Sequence, residues 1–288
     1  LPVSQPVRTL EIVPDTAQTE IKPQEASGGL RNFLSALRSY FILVPLVWIY
    51  TIILGSVSLL CSLFDHSGET QHKIARTWAR VILKTIGGKV KIEGLEKIDI
   101  TKPHVYIVNH LSAVDIPVLY GHLPFQFRIL AKKELFRYPF MGWHLQRSGQ
   151  IPVVFDNPRA SMRSLNMAVA AIKNKMSLVI FPEGGRSPDG QLQPFLGGAF
   201  YAAIKAQTDI VPIVLVGTYE MLRMNAWHIR PVPLLMLVGE PIPTVGLTVR
   251  DMDKLVEKAR TAIGDVYYSH CTVPDLRRGN LVTNEPEK

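Results

Sequence analysis

An α/β domain, with a mostly buried sheet flanked by helices and a membrane-embedded helical segment before it, is the fold class this sequence predicts. Three observations carry that prediction. Short apolar runs alternate with helical patterns from Lys89 to Tyr268, the alternation that folds into layers of sheet and helix. Phe41 to Phe64 is an uncharged run of about 24 residues, long enough to cross a bilayer core. The 288 residues leave room for one large α/β domain and such an appendage.

Residues 1–29 are rich in Pro, Gln, Thr and Glu and end in Ser27-Gly28-Gly29, which reads as a disordered lead. They lack the apolar core and cleavage pattern of a secretory signal. Residues 30–68 form the anchor. At about 1.5 Å per residue its apolar run reaches roughly 36 Å, against a hydrocarbon core of about 30 Å. Arg31 and Arg38 precede the run and Lys73, Arg76 and Arg80 follow it, whereas a single span should show a one-sided excess of positive charge. Balanced flanks favour a re-entrant pair of helices, bent at Pro45 or Gly55, or a monotopic anchor, with both ends cytosolic. A single pass stays open.

The catalytic domain is expected over residues 69–270. Its first helix, Glu69 to Ile86, sets Ile74, Trp78, Val81 and Ile82 against Lys73, Arg76, Arg80 and Lys84. Such a basic amphipathic helix either lies on an anionic surface or packs on the domain. Strands are expected at Lys89–Ile92, Val105–Val108, Phe127–Ala131, Ile151–Phe155, Leu178–Phe181, Ile210–Val216 and Leu234–Val238. Helices are expected at Ile116–Gly121, Pro139–Arg147, Pro158–Asn174, Ala199–Ala206 and Val249–Tyr268. Residues 271–288 form a polar tail expected to fray.

Lys and Arg number 32 against 24 Asp and Glu, a formal charge of +8. This favours anionic partners, a phosphate group or an anionic membrane surface. No basic run interleaved with aromatics points to nucleic acid. Cys61 and Cys271 build neither a disulfide framework nor a CxxC metal pair, and no HExxH occurs, so no metal is expected.

The chemistry concentrates after the second expected strand, in Asn109-His110-Leu-Ser-Ala-Val-Asp115. On one continuous helix His110 and Asp115 would be rotated by roughly 140° from each other, so they meet only across a strand-to-helix turn. There Asp115 would sit in the first turn, where the dipole favours a carboxylate, and would fix the imidazole tautomer. A histidine so held is a general base. The same residues would also serve as a strand end and a helix cap, with Ser112 or Asp115 as N-cap. A second polar loop, Pro182-Glu183-Gly184-Gly185-Arg186-Ser187, follows the strand ending at Phe181. Its glycines admit close backbone approach, and the Arg186 fork suits a phosphate. The plainer reading is a surface turn with an ion pair.

Together these two blocks resemble the glycerolipid acyltransferase family, most closely its bacterial 1-acylglycerol-3-phosphate acyltransferases. Asn109 to Asp115 is similar to the NHx4D block and Phe181 to Ser187 to the FPEGxRS block, while Ala131-Lys-Lys-Glu-Leu135, Gly149-Gln-Ile-Pro-Val153 and Ile210-Val-Pro-Ile-Val214 follow in family fashion. The resemblance implies a glycerolipid acyltransferase-like fold, with His110 as base and Asp115 as its orienting partner. It also implies an acceptor site lined by Asn109, Glu183, Gly184, Gly185 and Arg186, and Lys132 as a further phosphate contact. The implied partners are a lysophospholipid acceptor, an acyl-CoA or acyl carrier protein thioester as co-substrate, and membrane lipids, with no cofactor. The implied location is the inner membrane, with the catalytic domain facing the cytoplasm. One departure stands out. Where the family places Asp-Arg after Ile-Pro-Val, this chain reads Val154-Phe155, and Arg147, Arg159 and Arg163 are the nearby arginines. No Gly-x-Ser-x-Gly elbow occurs, which leaves Ser112 as the rival nucleophile.

Overall fold

The computed structural model describes residues 29–65, 67–154 and 157–275. The expected lead up to residue 28, the tail from 276, and Phe155 and Asp156 lie outside the described residues. The chain opens with α1 (Gly29–Arg38), a π-helical turn (Ser39–Leu43) and α2 (Val44–Cys61), one unbroken helical run. It then reverses through residues 62–68 into α3 (Glu69–Ile86).

The apolar run therefore does not fold back on itself at Pro45 or Gly55, and the pairing partner of α2 is α3. Pro45 lacks an N–H and its ring crowds the carbonyl one turn earlier. The π turn directly before it widens the helix there, which relieves the crowding without a break. Gly55 stays helical.

There follow β1 (Lys89–Glu93), β2 (Val105–Val108), α4 (Asp115–His122), β3 (Phe127–Lys132), α5 (Met141–Arg147) and β4 (Ile151–Val153). The chain continues with α6 (Pro158–Lys173), β5 (Ser177–Ile180), α7 (Gly198–Ala206), β6 (Ile210–Val216), α8 (Thr218–Met221), β7 (Pro233–Val238) and α9 (Met252–His270). Local chemistry sets several ends. The Asn157 side chain accepts the Ala160 N–H at 3.0 Å beside Pro158, which starts α6. Thr248 and Asp251 form a capping box ahead of α9.

The seven strands form one sheet in the order β1-β7-β6-β2-β5-β3-β4, parallel except where β6 meets β7. Strands β2 and β5 are wholly buried, as continuous apolar runs in a covered parallel sheet should be. Alternation along β2 sends Val105 and Ile107 into a core shared with α7 and α9, and Tyr106 and Val108 into a second core under α3 and α4. Helix α3 thus packs on the domain through Ala75, Ala79, Ile82, Leu83 and Ile86. Its basic residues Lys73, Arg80 and Lys84 stay exposed.

The start of the expected tail is docked. Gln191 Nε2 donates to the Pro274 carbonyl at 2.8 Å and Thr272 Oγ1 to Glu220 Oε1 at 2.8 Å. Val273 packs beside Gly190. Fraying was expected from the polar composition, but main-chain and hydroxyl contacts hold residues 272–274.

Candidate active site

Strands β2 and β5 are hydrogen-bonded neighbours running the same way, so the loops after their carboxyl ends lie side by side, where open α/β sheets place ligands. The loop after β2 carries His110 and the loop after β5 carries Glu183 to Ser187. The Ser187 N–H donates to the His110 carbonyl at 2.9 Å, and the His110 N–H donates to Glu183 Oε1 at 2.7 Å. The two loops are one unit.

The expected pair forms. His110 Nδ1 lies 2.8 Å from Asp115 Oδ2. The same oxygen accepts the Leu111 N–H at 2.8 Å and the Ser112 N–H at 2.9 Å. Asp115 is fully buried at the first position of α4. The carboxylate only accepts, so Nδ1 carries the proton and Nε2 is left as the acceptor. Phe181 stacks on the imidazole, with centroids 4.0 Å apart. The side chain of His110 keeps 17% of its surface exposed, enough for a reacting group to reach Nε2.

Neither Ser112 nor Asp115 caps α4 from its N-cap position, which Val114 occupies. Ser112 is fully buried, donates from Oγ to the Leu222 carbonyl at 2.6 Å and accepts the Val114 N–H. It holds a turn and presents no nucleophile.

Asn109 was expected at the acceptor. It is fully buried, with Nδ2 donating to the Leu215 carbonyl at 2.9 Å and Oδ1 accepting the Leu215 N–H at 2.8 Å. Its amide extends the β2–β6 ladder by one rung, which leaves it no polar group for substrate. Glu183 is likewise committed: Oε2 accepts the Gln193 N–H at 2.7 Å while Oε1 holds His110. Burial pushes this carboxyl up to about 8, against the opposing pull of those two N–H groups. Glu183 braces the site.

Gly184, at φ +71°, takes the left-handed turn that the loop requires. Gly185 faces Lys132, whose Nζ lies 3.8 Å from where a side chain on Gly185 would begin. Strand β3 pairs with β5, which brings Lys132 to this loop. Arg186 is half-buried. Among the described residues no carboxylate pairs with Lys132 or Arg186. Two uncompensated cations thus flank glycine backbone beside the histidine, an arrangement suited to an anionic group.

Arg159 and Arg163 occupy exposed positions on α6, and Arg147 an exposed position at the end of α5. Gly197 and Gly198 pack closely against Met252 and Leu165, with 3.1 and 3.2 Å to where side chains would begin. Sequence reasoning assigned no role to Phe181, nor to Tyr267 and Tyr268 on α9. Tyr267 donates to the Gly190 carbonyl at 2.9 Å, and the Tyr268 hydroxyl accepts the Leu192 N–H at 3.0 Å. They steady the segment that delivers Gln193 to Glu183. The only prior signal was two adjacent aromatics at the end of a long amphipathic helix.

A family model described as Acyltransferase matches residues 89–216. The 1-acyl-sn-glycerol-3-phosphate acyltransferase of Limnanthes douglasii is 35% identical over 188 residues, 65% of this chain and 65% of that protein. The protein of the same name from Saccharomyces cerevisiae is 31% identical over 239 residues, 81% of this chain and 78% of its own. Against its counterpart from Cocos nucifera the match spans 53% of that protein's length, so the chain spans about half to two thirds of the first of these curated relatives. The crystal structure of the 1-acyl-sn-glycerophosphate acyltransferase PlsC from Thermotoga maritima superposes with a TM-score of 0.64. It covers 82% of this chain and 97% of its own at 24% identity, a likeness of fold.

Proposed function

This chain belongs to the glycerolipid acyltransferase family, and from that premise we propose that it transfers a fatty acyl group to the sn-2 hydroxyl of 1-acylglycerol 3-phosphate, giving phosphatidic acid. The donor is an acyl thioester of coenzyme A or acyl carrier protein. The observation that carries this reading is the His110–Asp115 pair, with Nε2 free as acceptor, beside the unpaired cations Lys132 and Arg186. The names of the relatives support the same acceptor.

In this mechanism Nε2 takes the hydroxyl proton as the oxygen attacks the thioester carbonyl. The tetrahedral intermediate collapses with cleavage of the carbon–sulfur bond. The imidazolium returns the proton to the departing thiolate, so no residue is left acylated. Asp115 holds the ring and offsets its charge, while Lys132 and Arg186 hold the acceptor phosphate.

Both acceptor and product are lipids, which calls for a site at a bilayer. The helical run from Gly29 to Cys61 is long and apolar enough to meet one, with Phe41 75% and Ile53 54% exposed. It is fastened to the domain at intervals. Ser39 Oγ accepts the Ile229 N–H at 3.1 Å, Trp78 Nε1 donates to Thr51 Oγ1 at 3.0 Å, and Ser58 Oγ lies 2.8 Å from His144 Nδ1. Ser39 and Ser58 stand about 28 Å apart along the axis. An upright crossing would draw residues 229 and 144 across nearly the whole hydrocarbon thickness. This supports a monotopic anchor lying along the domain, for which we propose the cytoplasmic face of the inner membrane.

The test is product analysis with purified protein, a long-chain acyl thioester and a panel of lysolipids, beside His110→Ala. Phosphatidic acid is expected, with the variant slower by about 10² to 10⁴. Acylation of another lysolipid alone would shift the acceptor and give weight to the departure at Val154-Phe155. An unimpaired variant would sink the histidine's role.

A further inference from the structure

Beyond the long helix, the exposed aromatic residues cluster once more next to it. Tyr138, Phe140, Met141 and Trp143 are 58%, 45%, 42% and 52% exposed. They occupy α5 and the turn before it, and α5 packs beside α2, where His144 meets Ser58 at 2.8 Å. The exposed face of α2 continues at that end through Val57, Leu60, Leu63 and Phe64. The two sets of apolar side chains therefore belong to neighbouring elements.

The backbone here is strained in the direction of exposure. Phe140 has φ +60° and ψ −61°, rare for a bulky residue. Its ring is held out beside Trp143, with centroids 5.5 Å apart. The Met141 and Gly142 N–H groups, bonded to the Pro139 and Tyr138 carbonyls, hold the turn in this conformation, and outliers of this kind cluster at functional positions. The charge around the cluster is one-sided: Lys132, Lys133, Arg137 and Arg147 are exposed, with Glu134 the sole acid between residues 132 and 147.

Aromatic side chains flanked by basic residues suit the headgroup layer of an anionic membrane. Four large apolar groups exposed within six residues form a patch of the kind that marks an interaction surface. Resting on the membrane reading above, we infer that residues 137–147 form a second membrane-inserting element. Its bilayer is one carrying anionic lipid, and Phe140 and Trp143 enter the interface while Arg137 and Arg147 meet phosphates. The segment leads directly out of Lys132, so its insertion sets the acceptor side of the site at the lipid surface. A lysolipid would reach Lys132 by sliding laterally rather than by leaving the membrane.

The test uses full-length protein with Trp48, Trp78 and Trp227 replaced by Phe, which leaves Trp143 as the fluorophore. On vesicles of phosphatidylcholine and phosphatidylglycerol with brominated acyl chains, Trp143 emission should shift to the blue and be quenched. Otherwise wild-type protein carrying Phe140→Ser and Trp143→Ser should show an apparent KM for vesicle-embedded acceptor raised about tenfold. Its turnover on a short-chain, water-soluble acceptor should be unchanged, and Trp143→Phe should restore the KM. Unquenched Trp143 on protein that floats with the vesicles overturns this inference and leaves the helical anchor standing. Protein that does not float at all overturns the anchor and this inference together. A Trp143 shift with acyl carrier protein in place of lipid would assign the patch to a protein partner and overturn it as well.

Discussion

The Phe181 ring lies nearly flat against the His110 imidazole, with centroids 4.0 Å apart and planes 24° from parallel. It covers one face of the ring and leaves the edge carrying Nε2 as the route for a proton. In the proposed mechanism the imidazole becomes a cation as it takes that proton, and a cation over an aromatic face gains about 0.5–2 kcal/mol. Phe181→Leu keeps the apolar contact and removes the quadrupole. Steady-state kinetics should show kcat lower by about tenfold with KM for the thioester little changed. Equal loss in both would assign Phe181 to substrate binding.

Asp115 gathers the imidazole and two main-chain N–H groups on a single oxygen. In Asp115→Asn the charge is lost, and the new amide can turn its NH2 toward those donors. The histidine would then be held in the wrong tautomer or not at all. A kcat loss of about 10² to 10⁴ is expected, together with a lower melting temperature because three bonds are disturbed. A variant that melts lower yet turns over normally would make Asp115 a cap and nothing more.

Glu183 makes the stability of the fold depend on pH. Burial raises its carboxyl to about 8, against about 4.3 in an unfolded chain. Between those values the folded protein holds a proton that the unfolded chain has released, so stability falls as pH rises through that window. Glu183→Gln is neutral throughout and should flatten that slope in urea titrations at stepped pH. It should also cost about 1–3 kcal/mol, because an amide cannot accept from both His110 and Gln193. A slope identical to wild type would place the titration elsewhere.

His72 acts in the opposite sense. It is buried against Tyr120 and Phe127, in a pocket where the Phe125 main chain only partly offsets the loss of water. Burial, reinforced by Arg76, lowers its pKa to about 4. The unfolded chain takes up a proton below about 6.5 that the folded chain refuses. Stability is therefore full above that value and drains away toward pH 4, by about 3 kcal/mol. His72→Phe should resist acid better than wild type over this range. An unchanged acid midpoint would show that some other group governs it.

The sheet was legible almost residue for residue, because runs such as Val105–Val108 and Ile210–Val216 are apolar, β-branched and bounded by turn formers. The His110–Asp115 contact was legible for a different reason: helical geometry forbids it and a strand-to-helix turn allows it. The roles of Asn109 and Glu183 were not. Both bind main-chain N–H and C=O groups of residues far along the chain, and a peptide group has no sequence signature. The course of the anchor was hidden for a similar reason. Hydropathy detects that Phe41 to Phe64 is apolar, while its direction is set by lone hydroxyls such as Ser39 and Ser58.

If the helical run meets a bilayer as proposed, those hydroxyls separate two things often obtained from one surface, adhesion and bearing. Between Gly29 and Cys61 only Ser39, Leu43 and Ser58 are buried, and Val44, Val47 and Tyr50 are half-buried against the core under α3, so one face of the helix grips the domain and the rest is left outward. On the reading proposed above, lipid supplies the adhesion. The serines act as dowels: weak in tension but intolerant of rotation, they fix which side of the helix faces outward. Detergent that strips the lipid would leave the domain folded and its compass lost, so chemistry could survive while the choice of where to dip into the bilayer does not.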